Sequence, residues 1–197
     1  MFVFSNDSFL AKAFPYFKWS VYGLLGINMV LFFMEQTIIE GVESLAWIAL
    51  LLLLEWETSS LDKPYISLFE RYAIHVSRIV AYIFIIYSAY QYTTDEYVLE
   101  NGYLDMFNAI TWLLIVAIIE YDLYYPGGFY KIEWYIRNFV KIALYSALFV
   151  IAVLWWMDGE WLDFYDAALW IICFFFIELN ILKFEDEIEY IDEHINT

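Results

Sequence analysis

The residues able to do chemistry recur at fixed spacing. Trp47, Trp112 and Trp170 each stand eight residues before a glutamate, Glu55, Glu120 and Glu178, with a further polar residue two beyond it: Glu57, Asp122 and Asn180. Seven residues before each tryptophan is an acid, Glu40, Asp105 or Asp163, and four before it Glu43, Asn108 or Asp166. A basic residue and a tyrosine four positions apart precede each set: Lys18 and Tyr22, Arg78 and Tyr82, Lys141 and Tyr145. Carboxylate and amide oxygens suit hard cations such as calcium or magnesium, and a lysine or arginine set against a glutamate suits ion pairing.

Covalent and redox chemistry find little support. His75 and His194 are the only histidines, and Cys173 is the only cysteine, so no bis-histidine haem site, thiolate metal centre or intrachain disulfide is expected. No nucleophile elbow, phosphate loop or zinc-protease motif occurs. The reading leans away from an enzyme and expects no cofactor, with calcium or magnesium as a candidate at the outer acids and no metal ligand set defined.

The elements that carry these residues are apolar. A hydrophobic fraction of 63% and a mean hydropathy of +0.61 exceed what a soluble domain shows. Six segments of membrane-spanning character lie near 18–38, 42–57, 72–92, 103–121, 135–157 and 161–183. Two segments per copy of the polar signature make an internal repeat. The expected fold is an all-α integral membrane protein of six transmembrane helices, three tandem two-helix repeats around a pseudo-threefold axis. Its parts are an interfacial lead-in at 1–17 broken by Pro15, repeats at 18–57, 58–122 and 123–183, and an acidic tail at 184–197. In the second repeat the basic residue lies 34 rather than 29 positions before its tryptophan, an excess that the loop from Thr93 to Gly102 can absorb. Odd helices are expected to protrude on the cytoplasmic side and even helices to be short. Gly23 and Gly26 would let a neighbouring helix approach segment one, and Asn28 in the same segment needs either an interhelical hydrogen bond or a place on a pore wall.

The charges are sorted. All nine basic residues (Lys12, Lys18, Lys63, Arg71, Arg78, Lys131, Arg137, Lys141, Lys183) fall before the first segment, after the sixth, or at the even-to-odd connections, while the other loops hold acids and no base. By the bias of Lys and Arg toward the cytoplasm, both termini and those connections are cytoplasmic, in a plasma or bacterial inner membrane. Segment one reads as an uncleaved insertion signal. A net charge of −17 with dispersed bases excludes nucleic acid as a partner.

On each even helix the upstream acids and the tryptophan share one face, and the span from first acid to last polar residue is about 27 Å, close to the bilayer core. Polar groups therefore mark the two membrane borders. The outer set, Glu40, Glu43, Asp105, Asn108, Asp163 and Asp166, makes either an acidic vestibule or simple helix caps beneath an aromatic belt. The inner set pairs Lys18 with Glu55, Arg78 with Glu120 and Lys141 with Glu178, each tyrosine reaching the same glutamate, as hairpin pins or as a gate. Function divides between a cation channel or cation-handling protein and a membrane-embedded accessory or scaffold subunit. Partners are the lipid bilayer and either further copies or other membrane subunits. Cysteines placed at Glu96 and Asp158 should react with a membrane-impermeant thiol reagent from outside intact cells, and one at Lys63 should not; labelling at Lys63 alone reverses the orientation.

Overall fold

The computed structural model describes residues 9–35, 38–58, 67–125 and 131–195, with side chains described at 14–34, 41–58, 67–125 and 132–181. Among these the chain is all-helical: α1 (Phe9–Glu35), α2 (Ile38–Thr58), α3 (Leu68–Gln91), α4 (Asp95–Asn101), α5 (Leu104–Tyr124), α6 (Lys131–Asp158) and α7 (Trp161–Ile195). Five of them, α1, α3, α5, α6 and α7, are long and apolar enough to cross a membrane, which points to a membrane location. The expected second span, α2, falls short on composition, because Glu43, Glu55 and Glu57 lie within its last 18 residues.

Local chemistry explains the boundaries. Ser67 opens α3 with a capping box: its hydroxyl accepts from the Glu70 amide and the Glu70 carboxylate accepts from the Ser67 amide. Thr94 caps α4, which occupies the extra length of the second repeat. Gly102 and Gly159 take φ of 85° and 88° just before α5 and α7, a region where a side chain would be strained. Asp105 does not cap α5; its carboxylate accepts from the Tyr97 hydroxyl at 2.7 Å.

Three local expectations are corrected. Pro15 lies inside α1 rather than breaking it; the amide it lacks removes one helical hydrogen bond, a loss that apolar helices tolerate when neighbouring groups compensate. Among the described residues nothing lies near where a Cβ on Gly23 or Gly26 would stand, so no described helix uses them for close approach. Close approach occurs instead at Gly41, where a Cβ would overlap the Phe33 ring across the α1–α2 hairpin. Finally, even helices are not uniformly short: α7, at 35 residues, is the longest and carries helix through the acidic tail to Ile195.

Packing closes a circuit. In chain order α1 rests on α2, α2 on α3, α3 on α5, α5 on α6, α6 on α7, and α7 returns to α1, while α7 also meets α2 and α5. The shared interior is apolar: Leu50, Leu54, Ile115, Ile119, Cys173, Phe174 and Ile177 are all fully buried. Ile79, Ile83, Ile86, Phe149 and Val150 point outward, the inverse of a water-facing surface and what lipid requires. Phe174→Ala should lower stability by about 3–5 kcal/mol, read as an earlier loss of the monodisperse peak on heating in detergent; an unchanged profile would mean that the ring does not fill the core.

Candidate functional site

Polar residues gather at the two ends of the bundle. At the basic end the predicted pairs all form. Lys18 pairs with Glu55, Arg78 with Glu120 at 3.1 Å and Lys141 with Glu178 at 2.6 Å. The tyrosines join them, Tyr22 donating to Glu55 at 2.9 Å, Tyr82 to Glu120 at 2.6 Å and Tyr145 to Glu178 at 3.4 Å. Each pair ties the two helices of one hairpin together.

A second set of contacts, not anticipated from the sequence, ties hairpin to hairpin. Glu57 pairs with Arg78 of the next hairpin. Asp122 pairs with Lys141 of the next at 2.6 Å and with Arg137. Asn180 turns back to the first, donating to Glu55 at 3.3 Å and to Thr58 at 3.2 Å. The circuit is complete: the residue two beyond each repeated glutamate reaches the hairpin that follows it, and the third reaches the first. The signal was present in the recurrence of Glu57, Asp122 and Asn180, but nothing in sequence spacing says which helix lies opposite.

Such pairs are costly to break, since a lone charge left in a low-dielectric site loses both water and partner. Asp122 has a side chain only 2% exposed and serves two cations.

At the opposite, acidic end the outer set converges. Glu43 from α2, Asp105 and Asn108 from α5, and Asp163 and Asp166 from α7 line one cavity of about 470 Å³. Glu100 of α4, Asp158 at the end of α6 and Glu160 between α6 and α7 join them, and among the described residues lining it there is no Lys, Arg or His. The side chain of Glu40 lies outside the described residues. Burial, with the Asp105 and Asp158 carboxylates nearby, raises Glu160 from its ordinary value.

Trp47, Trp112 and Trp170 form the floor. Their ring centroids are 6.3, 6.0 and 6.5 Å apart, a nearly equilateral triangle. Phe174 touches all three from α7, at 6.4, 4.8 and 6.1 Å. Since Trp170 follows the start of α7 by nine residues, the floor lies roughly 14 Å into the bundle. The tryptophans are thus a shared plug and not an outward aromatic belt. Beyond them the axis is the closed apolar core.

Hydrogen bonds hold the wall. Trp47 donates to Glu43 at 3.4 Å and Trp170 to Asp166 at 3.1 Å, one turn apart on the same helix. Tyr92 donates to Glu43. Asn28, fully buried, reaches from α1 to Asp166 at 2.6 Å; of its two expected roles it takes the interhelical hydrogen bond. The acids stay spread around the wall, and among the described residues no three His, Cys, Asp or Glu side chains converge as a metal ion requires. Comparison with known proteins finds no matching family model, no matching curated protein and no matching solved structure.

Asp122→Asn should destabilise the protein by about 3–5 kcal/mol through Arg137 and Lys141, measured by thermal unfolding in detergent. A loss below about 1 kcal/mol, the scale of an exposed pair, would mean that water reaches this layer.

Proposed function

We propose that the chain is a cation-handling membrane protein: six spans in three hairpins around a pseudo-threefold axis, both termini cytoplasmic, and the acidic cavity open to the outside. One observation carries this reading. Carboxylates from all three hairpins, spaced far apart in sequence, meet in one cavity without a basic residue among its described lining. A concave acidic surface with low-dielectric walls concentrates cations.

The near-equilateral tryptophans and the cyclic polar contacts, two ion-paired steps and one through Asn180, support the threefold arrangement. They also explain how α2 can be the sixth span despite its acids, because Glu43 lies at the cavity while Glu55 and Glu57 are neutralised by Lys18 and Arg78. The positive residues gathered at the end opposite the cavity support the orientation. With the floor closed by indoles and Phe174, the cavity captures cations at the mouth of a shut path, and conduction requires those rings to part.

Glu43→Gln, Asp105→Asn and Asp163→Asn combined should reduce cation binding by purified protein at low ionic strength at least about tenfold, the loss of three favourable charges at partly screened distances. Binding to the unaltered protein should weaken as pH falls and the wall acids take up protons, Glu160 among them because burial and neighbouring carboxylates raise its affinity for protons. Binding equal in the triple variant and the parent would reject the cavity as a cation site and leave the accessory-subunit reading.

A further inference from the structure

The cavity described above is built of two materials, acids around its wall and indoles across its floor, and the combination narrows what it can hold. Resting on the cation-handling reading, the geometry points to an organic ammonium ion carrying N–H donors as the ligand, in preference to a metal ion.

Size is the first argument. A volume of about 470 Å³ equals roughly fifteen waters at about 30 Å³ each and falls in the range of small-molecule sites. A calcium ion instead needs about six to eight oxygens drawn in to about 2.3–2.6 Å. The wall does not gather its acids in that way; Glu43, Asp105 and Asp166 each accept hydrogen bonds from neighbouring side chains. A ligand wide enough to meet acids on opposite walls does not require them to converge.

The floor is the second argument. Indole faces attract cations best when the cation sheds water cheaply, which an alkylammonium does and a hard divalent ion does not. Trp47, Trp112 and Trp170 all line the cavity, so a charge resting on the floor meets aromatic surface from three helices.

The third argument comes from an unmet acceptor. Asn108 lines the cavity, and its Oδ1 is buried without a hydrogen-bond partner. An unmet buried acceptor costs about 1–3 kcal/mol. An ammonium N–H at the Asn108 wall supplies a donor where a quaternary ammonium has none, and it does so without the convergence of oxygens that a metal ion needs.

Calorimetric titration of the full chain in a neutral maltoside detergent, with the dication of diaminobutane against calcium chloride at equal ionic strength, separates the alternatives because the two probes carry equal charge. Diaminobutane should bind at least about tenfold tighter. Trp47→Leu should weaken it by about three- to thirtyfold, the range of a cation–π contact, while leaving calcium binding unchanged. If that variant does not fold, Asn108→Leu on the wall should show the same selective loss. Calcium binding as tight as or tighter than diaminobutane, or a variant that weakens both probes equally, overturns the organic ligand while the cation-handling reading stands. Failure of both probes to bind overturns both.

Discussion

Low dielectric makes an unpaired charge inside an apolar bundle expensive, and the arrangement at the basic end follows from that penalty. Lys18, Arg78 and Lys141 each meet a glutamate of their own hairpin, and the flanking Glu57, Asp122 and Asn180 carry the network across to the next hairpin and back to the first. Hydrophobic contact alone has no register: one Leu or Ile slides past another at little cost, and lipid competes equally for both. A charge that must find its partner fixes the depth and rotation of each helix. The repeated tyrosines strengthen this by giving each glutamate a neutral donor beside its cationic one.

Fixing one end determines the other. Glu55, Glu120 and Glu178 lie eight residues beyond Trp47, Trp112 and Trp170 within continuous helices, so pinning the glutamates at one level brings the indoles to one level too, about 12 Å away. There the three rings face one another above Phe174. The same rigid spacing lifts Glu43, Asn108 and Asp166 one turn above the indoles and makes them a wall. The cavity is thus a consequence of helix periodicity combined with an ion-pair layer at the far end, and its depth depends on helix geometry more than on the loops that rim it.

Much of this was legible in the residues because repetition supplies what a single sequence lacks. Three independent copies of basic residue, tyrosine, tryptophan and glutamate identified the hairpin pairs, and the structure joins the same partners. What stayed hidden is relational. Asp122 reads as a border acid, yet it joins Arg137 and Lys141 on α6, a pairing that depends on how hairpins pack. Trp112 reads equally well as an interfacial belt residue, because sequence gives a helix face but not what that face meets. Small residues misled for the same reason: among the described residues nothing approaches the Cβ positions of Gly23 and Gly26, while Gly41 serves the close approach.

On the proposed function, the acidic cavity takes up cations from the side opposite the ion-pair layer. Diffraction at the thallium absorption edge, from crystals soaked in a thallium salt, tests it by locating the bound cation directly. The account predicts anomalous density inside the cavity, between the carboxylates of Glu43, Asp105 and Asp163 and above the three indoles. Density confined to other surfaces, with the cavity empty in crystals that diffract well enough to show its side chains, would contradict it.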